Sequence, residues 1–108
     1  MGLAKTEEFK VKDNKIAAYA KALGHPARIA ILQFLIKSES CICGDIVEEL
    51  PLSQSTVSQH LKELKEAGLI KGSIEGASVC YCIDEKGWED AKTYLKTLLD
   101  SFKGNKCC

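Results

Sequence analysis

The stretch 52–64 constrains the fold most, because its two faces carry very different side chains. Its apolar positions follow the i, i+4, i+7 spacing of one helical stripe: Val57, Leu61 and Leu64. Ser53 just ahead of them is a good N-cap, since a serine hydroxyl accepts a hydrogen bond from a free N–H of the first turn. Gly68 stands where a glycine ends such a helix. The stretch therefore predicts a short amphipathic helix with defined ends.

The outward face of this predicted helix carries short hydrogen-bonding groups, although Glu, Lys and Ala are the residues that favour an exposed helix. Ser, Thr and Gln side chains suit phosphate oxygens and base edges in a DNA major groove. A solvated polar face without any ligand is the alternative that this face alone leaves open. The candidate DNA-contact residues are Gln54, Ser55, Thr56, Ser58, Gln59 and Lys62.

The segments on either side of 52–64 extend this pattern into a recognisable arrangement. Upstream, residues 46–50 predict a short amphipathic helix that ends at a proline. Downstream, residues 69–74 and 78–83 predict two strands joined by a tight turn. A helix, a turn, a polar helix and a hairpin together predict a mainly α fold with a small β-hairpin, the winged helix-turn-helix.

Two segments carry a resemblance to a known family. They read ALGHPARIAILQFL and LSQSTVSQHLKELKEAGLIKGSIEGASVCYCID. Over roughly residues 15–100 the chain resembles the ArsR/SmtB family of small bacterial winged-helix repressors. The resemblance implies a homodimer joined through its first and last helices. It also implies that the dimer binds a palindromic DNA operator and is released by a bound metal or metalloid.

Length and composition predict one domain of 108 residues. We expect a flexible segment at 1–12, the winged helix-turn-helix domain at 13–103 and a flexible tail at 104–108. The last helix has a wide apolar stripe that so short a chain cannot cover, which favours a partner chain. No apolar run approaches a membrane span, so we expect a cytoplasmic protein that does not act at a membrane. Fifteen basic and fifteen acidic residues cancel, so we expect modest nonspecific DNA affinity.

Six cysteines occur as three close pairs: Cys41 and Cys43, Cys80 and Cys82, Cys107 and Cys108. A reducing cytoplasm argues against three structural disulfides, so the paired thiols are interpreted as metal ligands or redox switches. In the thiolate-rich sensors of the family, a Cys-x-Cys pair opens the first helix of the helix-turn-helix, and the first pair here matches that position. The predicted ligands are Cys41, Cys43, Cys107 and Cys108. The predicted inducer is As(III), Sb(III) or another soft ion, without an organic cofactor.

The first pair poses a geometric difficulty as a metal site. Residues two apart in a regular helix point to different sides, so their sulfurs converge only if the helix start is frayed. As(III) and Sb(III) also favour three thiolates, and the tail pair is the predicted source of the third. Ordinary burial of Cys41 and Cys43 as small apolar residues remains the alternative.

The middle pair falls on one face of the second hairpin strand. Val79, Tyr81 and Ile83 alternate with Cys80 and Cys82 and are predicted to face the core. The two thiols are therefore predicted to be partly exposed, incidental strand residues, and chelation of an ion or a strained disulfide is the alternative. A thiol redox or reactive-sulfur sensor of the same fold is the alternative function for this chain.

His25 and His60 are the only histidines. Zinc-sensing members of the family carry histidine on the last helix, which has none here, so a zinc site there is not expected. A catalytic cysteine usually needs a nearby base, and the pattern offers no such dyad, so no enzyme is expected. His25 is predicted to be a turn residue that touches no ligand, and Arg28 is left open between packing and phosphate contact.

Overall fold

The computed structural model describes residues 9–38, 41–43, 50–75 and 78–104, with the backbone alone for 43, 73–75, 78 and 79. Within these ranges the chain forms four helices and three strands. In chain order they are α1 (Val11–Leu23), α2 (Pro26–Ser38), β1 (Ile42–Cys43), α3 (Gln54–Glu66), β2 (Ile70–Glu75), β3 (Ser78–Ile83) and α4 (Glu85–Asp100). The prediction of a mainly α fold with a small β-hairpin is confirmed.

The ends of α3 follow the local signals in its sequence. The backbone N–H of Thr56 donates to Ser53 Oγ at 3.3 Å, so Ser53 is the N-cap. Ala67 is the C-cap, and Gly68 follows it with φ at +84°. A residue with a Cβ is strained at this positive φ, so glycine allows the chain to leave the helix and enter β2.

The sheet has the strand order β1-β3-β2, with both pairings antiparallel. The β2–β3 hairpin pairs Ile70 with Ile83 at its base. On the other edge of β3, β1 pairs Ile42 with Tyr81 and Cys43 with Cys80. The sheet therefore has a third, short strand beside the predicted hairpin.

The strand β1 corrects one sequence prediction. Cys41 to Cys43 were expected to open the first helix of the helix-turn-helix, but Ile42 and Cys43 form a strand. An unpaired edge of β3 exposes backbone N–H and C=O groups, and β1 satisfies part of that edge. The rest of the predicted helix, residues 44–49, lies outside the described residues.

The core lies where α2, α3 and the base of the hairpin meet. Helix α2 packs on both α3 and β3, and α3 packs on β2. Fully or almost fully buried side chains come from each of these elements: Ile31, Leu32, Leu35, Val57, Leu61, Leu64, Leu69 and Ile70. The apolar stripe of α3 is thus turned inwards, which leaves its polar face outwards.

Helices α1 and α4 pack together on one side of this core. The Tyr19 hydroxyl donates to the Asp90 carboxylate, and this bond, burial and the Asp90 charge raise the pKa of Tyr19 to about 12. Lys15 Nζ lies 3.7 Å from Asp90 Oδ2 and 5.4 Å from the Tyr94 ring centroid. A hydrogen bond, an ion pair and a cation–π contact therefore hold the two helices in register.

Large apolar side chains stay exposed at the ends of these two helices. Leu99 and Phe102 are 72% and 71% exposed, and Phe9 and Val11 are 59% and 73% exposed. The described part of the chain leaves this apolar surface uncovered. None of its helices has the length and apolar run needed to cross a membrane.

Candidate functional site

The outer face of α3 presents all six candidate DNA-contact residues to solvent. Gln54, Ser55, Thr56, Ser58, Gln59 and Lys62 are each exposed, while Val57, His60, Leu61 and Leu64 are buried. The polar face is therefore continuous along the helix. Contact with DNA stays a prediction for these six side chains.

Hydroxyl groups at the start of α3 already bond to one another. Ser53 Oγ donates to Thr56 Oγ1 at 2.9 Å and lies 3.3 Å from Ser55 Oγ. Further along, Gln59 Nε2 donates to Glu63 Oε2 at 3.4 Å. Helix N-termini favour anions, so a phosphate can meet these hydroxyls where the helix dipole is favourable.

His60 is a buried polar residue of α3 whose hydrogen bond the sequence did not indicate. Its side chain is 8% exposed, and Arg28 Nε donates to His60 Nδ1 at 3.2 Å. Burial above all lowers the pKa of His60, the His25 and Arg28 charges lower it further, and Glu63 opposes them. Nδ1 accepts a hydrogen bond, so the neutral ring fits this site and a protonated ring does not.

Besides its bond to His60, Arg28 forms hydrogen bonds with the end of α1. Its guanidinium Nη1 donates to the carbonyl oxygens of Lys21 at 2.9 Å and Ala22 at 3.4 Å. These bonds give Arg28 a packing role, since they join α1, α2 and α3, and a phosphate contact by the same side chain stays an open alternative. No spacing in the sequence pairs position 28 with position 60, so only the tertiary structure reveals this link.

His25 stands in the turn between α1 and α2, as predicted. The Ala27 N–H donates to its Nδ1 at 3.0 Å, which fixes the ring at the start of α2. The His25 and His60 rings have centroids 4.5 Å apart. The His25 ring therefore packs beside His60 on the inner side of α3.

The cysteines form the second chemical feature of the molecule. Cys41 and Cys82 are joined by a disulfide with their Cα atoms 4.4 Å apart. Cys80 is also disulfide-bonded, and it lies directly opposite Cys43 in the strand register. Two Cys-x-Cys segments therefore face each other across β1 and β3.

The strand geometry removes the difficulty that a helix posed. Residues two apart in a strand lie on the same face, whereas in a helix they diverge. The prediction that Cys80 is partly exposed is wrong, because its side chain is 1% exposed. Leu35 and Ile36 of α2 line one pocket with Cys82, so α2 lies beside the cysteine face of this strand, and Tyr81 on the other face is partly buried against the core.

The predicted metal ligands are only partly within the described residues. Cys41 is described and sits in the disulfide, the Cys43 side chain is not described, and Cys107 and Cys108 lie outside the described residues. Among the side chains that are described, no group of three or more His, Cys, Asp or Glu is arranged to hold a metal ion. The four-cysteine metal site stays a prediction.

An open pocket of about 520 Å³ adjoins the Cys41–Cys82 disulfide. It lies between α2, the sheet and the start of α4. The residues that line it are Leu35, Ile36, Cys41, Lys71, Cys82, Ile83, Glu85 and Trp88. The disulfide is therefore accessible from solvent through a partly apolar pocket.

Comparisons with known proteins agree with this architecture. Residues 25–71 match the model of the bacterial regulatory protein arsR family. An uncharacterized HTH-type transcriptional regulator of Methanocaldococcus jannaschii is 40% identical over 77 residues, which are 69% of this chain and 85% of that protein. The HTH-type transcriptional repressor SmtB of Mycobacterium tuberculosis is 44% identical over 61 residues, 56% of this chain and 44% of that protein.

A solved structure shares the fold at low sequence identity. It is the homodimeric winged helix-turn-helix DNA-binding domain of a possible ArsR-family regulator from Mycobacterium bovis. Its TM-score is 0.66 at 22% identity, covering 93% of this chain and 88% of that one. These relatives are DNA-binding regulators and not enzymes. The chain belongs to the ArsR/SmtB family of winged helix-turn-helix transcriptional repressors.

Proposed function

We propose that this repressor binds its operator as a homodimer and that the Cys41–Cys82 pair controls its DNA affinity. The reduced dithiol form binds DNA, and the disulfide form releases it. The observation that carries this proposal is the disulfide itself, because it joins the residue ahead of the predicted helix-turn-helix to the hairpin that follows α3.

The exposed polar face of α3 supports the DNA-binding part. Gln54, Ser55, Ser58 and Gln59 are the side chains for base edges, and Thr56 and Lys62 are those for phosphates. Arg28 and His60 hold the opposite side of the helix against α1 and α2. The polar face can thus be presented to a major groove in one fixed orientation.

The exposed apolar residues support the homodimer. Leu98, Leu99 and Phe102 on and after α4 lie in the same layer as α1. Burying a side chain of this size contributes about 1.5–3 kcal/mol. A second copy, related by a two-fold axis, covers this surface and places two α3 helices on successive major grooves of a palindromic operator.

The chemistry of the switch is a two-electron oxidation. The thiols of Cys41 and Cys82 give up two protons and two electrons to a peroxide and form one S–S bond, while hydrogen peroxide is reduced to two waters, or an alkyl hydroperoxide to an alcohol and water. The bond fixes Cys41 against β3, so β1 and the hairpin lose freedom to shift against each other on DNA. A thiol reductant reverses the step.

A soft metal ion as inducer is the second candidate function. It is favoured by the strand register, in which Cys41 and Cys43 face Cys82 and Cys80 and thereby bring thiols together. In the reduced protein such thiolates suit As(III) or Sb(III), with Cys107 or Cys108 as a further ligand. Both candidate functions depend on the cysteines of β1 and β3. They differ in the inducing signal, which is a peroxide in the first and a soft ion in the second.

Fluorescence anisotropy on DNA from the promoter of its own gene separates the two candidates. Reduced protein is titrated with peroxide, and separately with arsenite in the presence of a non-thiol reductant. The proposal predicts release by peroxide and loss of that response in Cys41→Ser and Cys82→Ser. The double variant Cys107→Ser/Cys108→Ser is the matched control and should respond normally to peroxide.

The other outcomes are equally informative. Release by arsenite under reductant, abolished by the tail variant, supports the soft-ion candidate and assigns the additional thiolate. If neither signal releases the DNA, control by the cysteines is refuted while the DNA-binding assignment stands.

A further inference from the structure

The pocket beside the Cys41–Cys82 disulfide carries features that a simple redox pair does not need. Its volume of about 520 Å³ falls in the range of small-ligand sites. Leu35, Ile36 and Trp88 supply an apolar wall. The S–S bond thus adjoins a space large enough for a small organic molecule.

Two opposite charges line the same pocket. Lys71 pairs with Cys82 in the β2–β3 register, so their side chains leave the sheet on one face with Cβ atoms about 4.5–5.5 Å apart. Glu85 lines the pocket at the start of α4. A lysine and a glutamate on an apolar pocket complement a ligand that carries both a carboxylate and an ammonium group.

We propose that this pocket binds a zwitterionic amino-acid thiol, which exchanges with the Cys41–Cys82 disulfide. The carboxylate of the ligand faces Lys71, its ammonium group faces Glu85, and its sulfur reaches the S–S bond. This inference rests on the proposed redox control and names the reductant that resets it.

The exchange balances without a further reagent. The ligand thiolate attacks the sulfur of Cys41, the more exposed residue of the pair, the S–S bond breaks, and Cys82 leaves as a thiolate. A second ligand thiolate attacks the ligand sulfur of the mixed disulfide, which releases the Cys41 thiolate. Two thiolates become one small-molecule disulfide, and the protein disulfide gains two electrons.

Lys71 acts at the leaving group as well as on the ligand. A nearby ammonium group stabilises a thiolate, and a better-stabilised thiolate leaves faster. Loss of the lysine therefore slows attack by every thiol to some extent. The rate of attack by carboxylate-bearing thiols falls further, because these thiols also lose the positive charge that faces their carboxylate.

The test is the rate of disulfide reduction in the oxidised full chain. Three probes are used at equal thiolate concentration: cysteine, 3-mercaptopropionate, which lacks the ammonium group, and cysteamine, which lacks the carboxylate. The variants are Lys71→Gln, Glu85→Gln and, as a charge-conserving control, Lys71→Arg. Mass spectrometry after alkylation follows the opening of the Cys41–Cys82 bond.

Cysteine should react fastest with the unmodified protein. Lys71→Gln should slow disulfide reduction by cysteine and by 3-mercaptopropionate about twofold to fivefold more than reduction by cysteamine, as expected for the loss of one exposed ion pair. Glu85→Gln should slow cysteine and cysteamine but speed up 3-mercaptopropionate, and Lys71→Arg should retain the original order.

Equal effects of each variant on all three probes would overturn the inference. That result would leave redox control of DNA binding untouched, because the reduction assay contains no DNA. Conversely, failure of the proposed function appears as DNA affinity that is the same before and after reduction, whatever the order of the probes.

Discussion

Replacing Gly87 with alanine tests how closely α4 packs against the turn between α3 and β2. Helix propensity predicts a gain in stability, because alanine is about 1 kcal/mol better than glycine within a helix. Packing predicts a loss. A Cβ at position 87 would lie 1.7 Å from the carbonyl oxygen of Gly68 and 2.8 Å from its carbonyl carbon. Both atoms belong to the backbone, so no side-chain rotation relieves the contact.

The packing effect is the larger of the two. Real Cβ atoms stay at least 3.0 Å from such neighbours, so the start of α4 must move away from the turn. That movement strains the cap, in which the Gly87 N–H donates to Asp84 Oδ1 at 3.1 Å. Overpacking of this kind costs about 1–3 kcal/mol, and more where the backbone itself must shift. We expect a net loss of about 2 kcal/mol after the gain in helix propensity.

Thermal unfolding followed by far-UV circular dichroism measures this loss. A destabilisation of about 2 kcal/mol lowers the Tm by roughly 8–16 °C in a domain of this size. Protein concentration is held constant, because association stabilises the folded state. Lys86→Ala, an exposed neighbour in the same turn, is the matched control and should change Tm little. An unchanged or higher Tm for Gly87→Ala would refute the packing argument.

Three further predictions concern residues in α3 and at its N-cap. Because the pKa of His60 is lowered from 6.5 in the folded state, the unfolded chain takes up the proton first. The contribution of His60 to the free energy of unfolding should therefore be fully present above pH 6.5 and decrease as the pH falls towards the lowered pKa of the folded state. His60→Gln should remove this pH dependence, measured by urea unfolding. Ser53→Ala should cost about 1 kcal/mol, measured in the same way, because it removes the N-cap. Lys62→Gln should weaken DNA binding evenly across sequences and reduce the salt slope by about 1, measured by anisotropy.

The elements that the sequence predicted well are those with local signals. Ser53, the apolar stripe and Gly68 define α3 within a span of sixteen positions, and each acts through bonds or contacts inside that span. The start of α2 at Pro26 carries a local signal of the same kind, since the missing N–H of proline has no partner to lose in the first turn. Such signals do not depend on the rest of the fold.

The cysteine segment shows why the remainder could not be predicted. Cys-Ile-Cys is compatible with a helix start as well as with a short strand, and β3, about forty residues later, decides between them. The burial of Cys80 likewise depends on the tertiary packing of β3, which contacts α2. Arg28 and His60 meet only after α2 and α3 have packed, so no residue pattern indicates their hydrogen bond.

The most direct test of cysteine control is the operator affinity of one protein preparation in two states. The fully reduced form and the form with a Cys41–Cys82 bond, verified by peptide mapping, are compared at the same salt concentration. Coupling between two sites in allosteric proteins is typically about fivefold to 150-fold. By reciprocity, bound operator should shift the dithiol–disulfide equilibrium by the same factor. We expect the disulfide form to bind the operator more weakly, by a factor within that range. Equal affinity of the two forms would refute control of DNA binding by this disulfide.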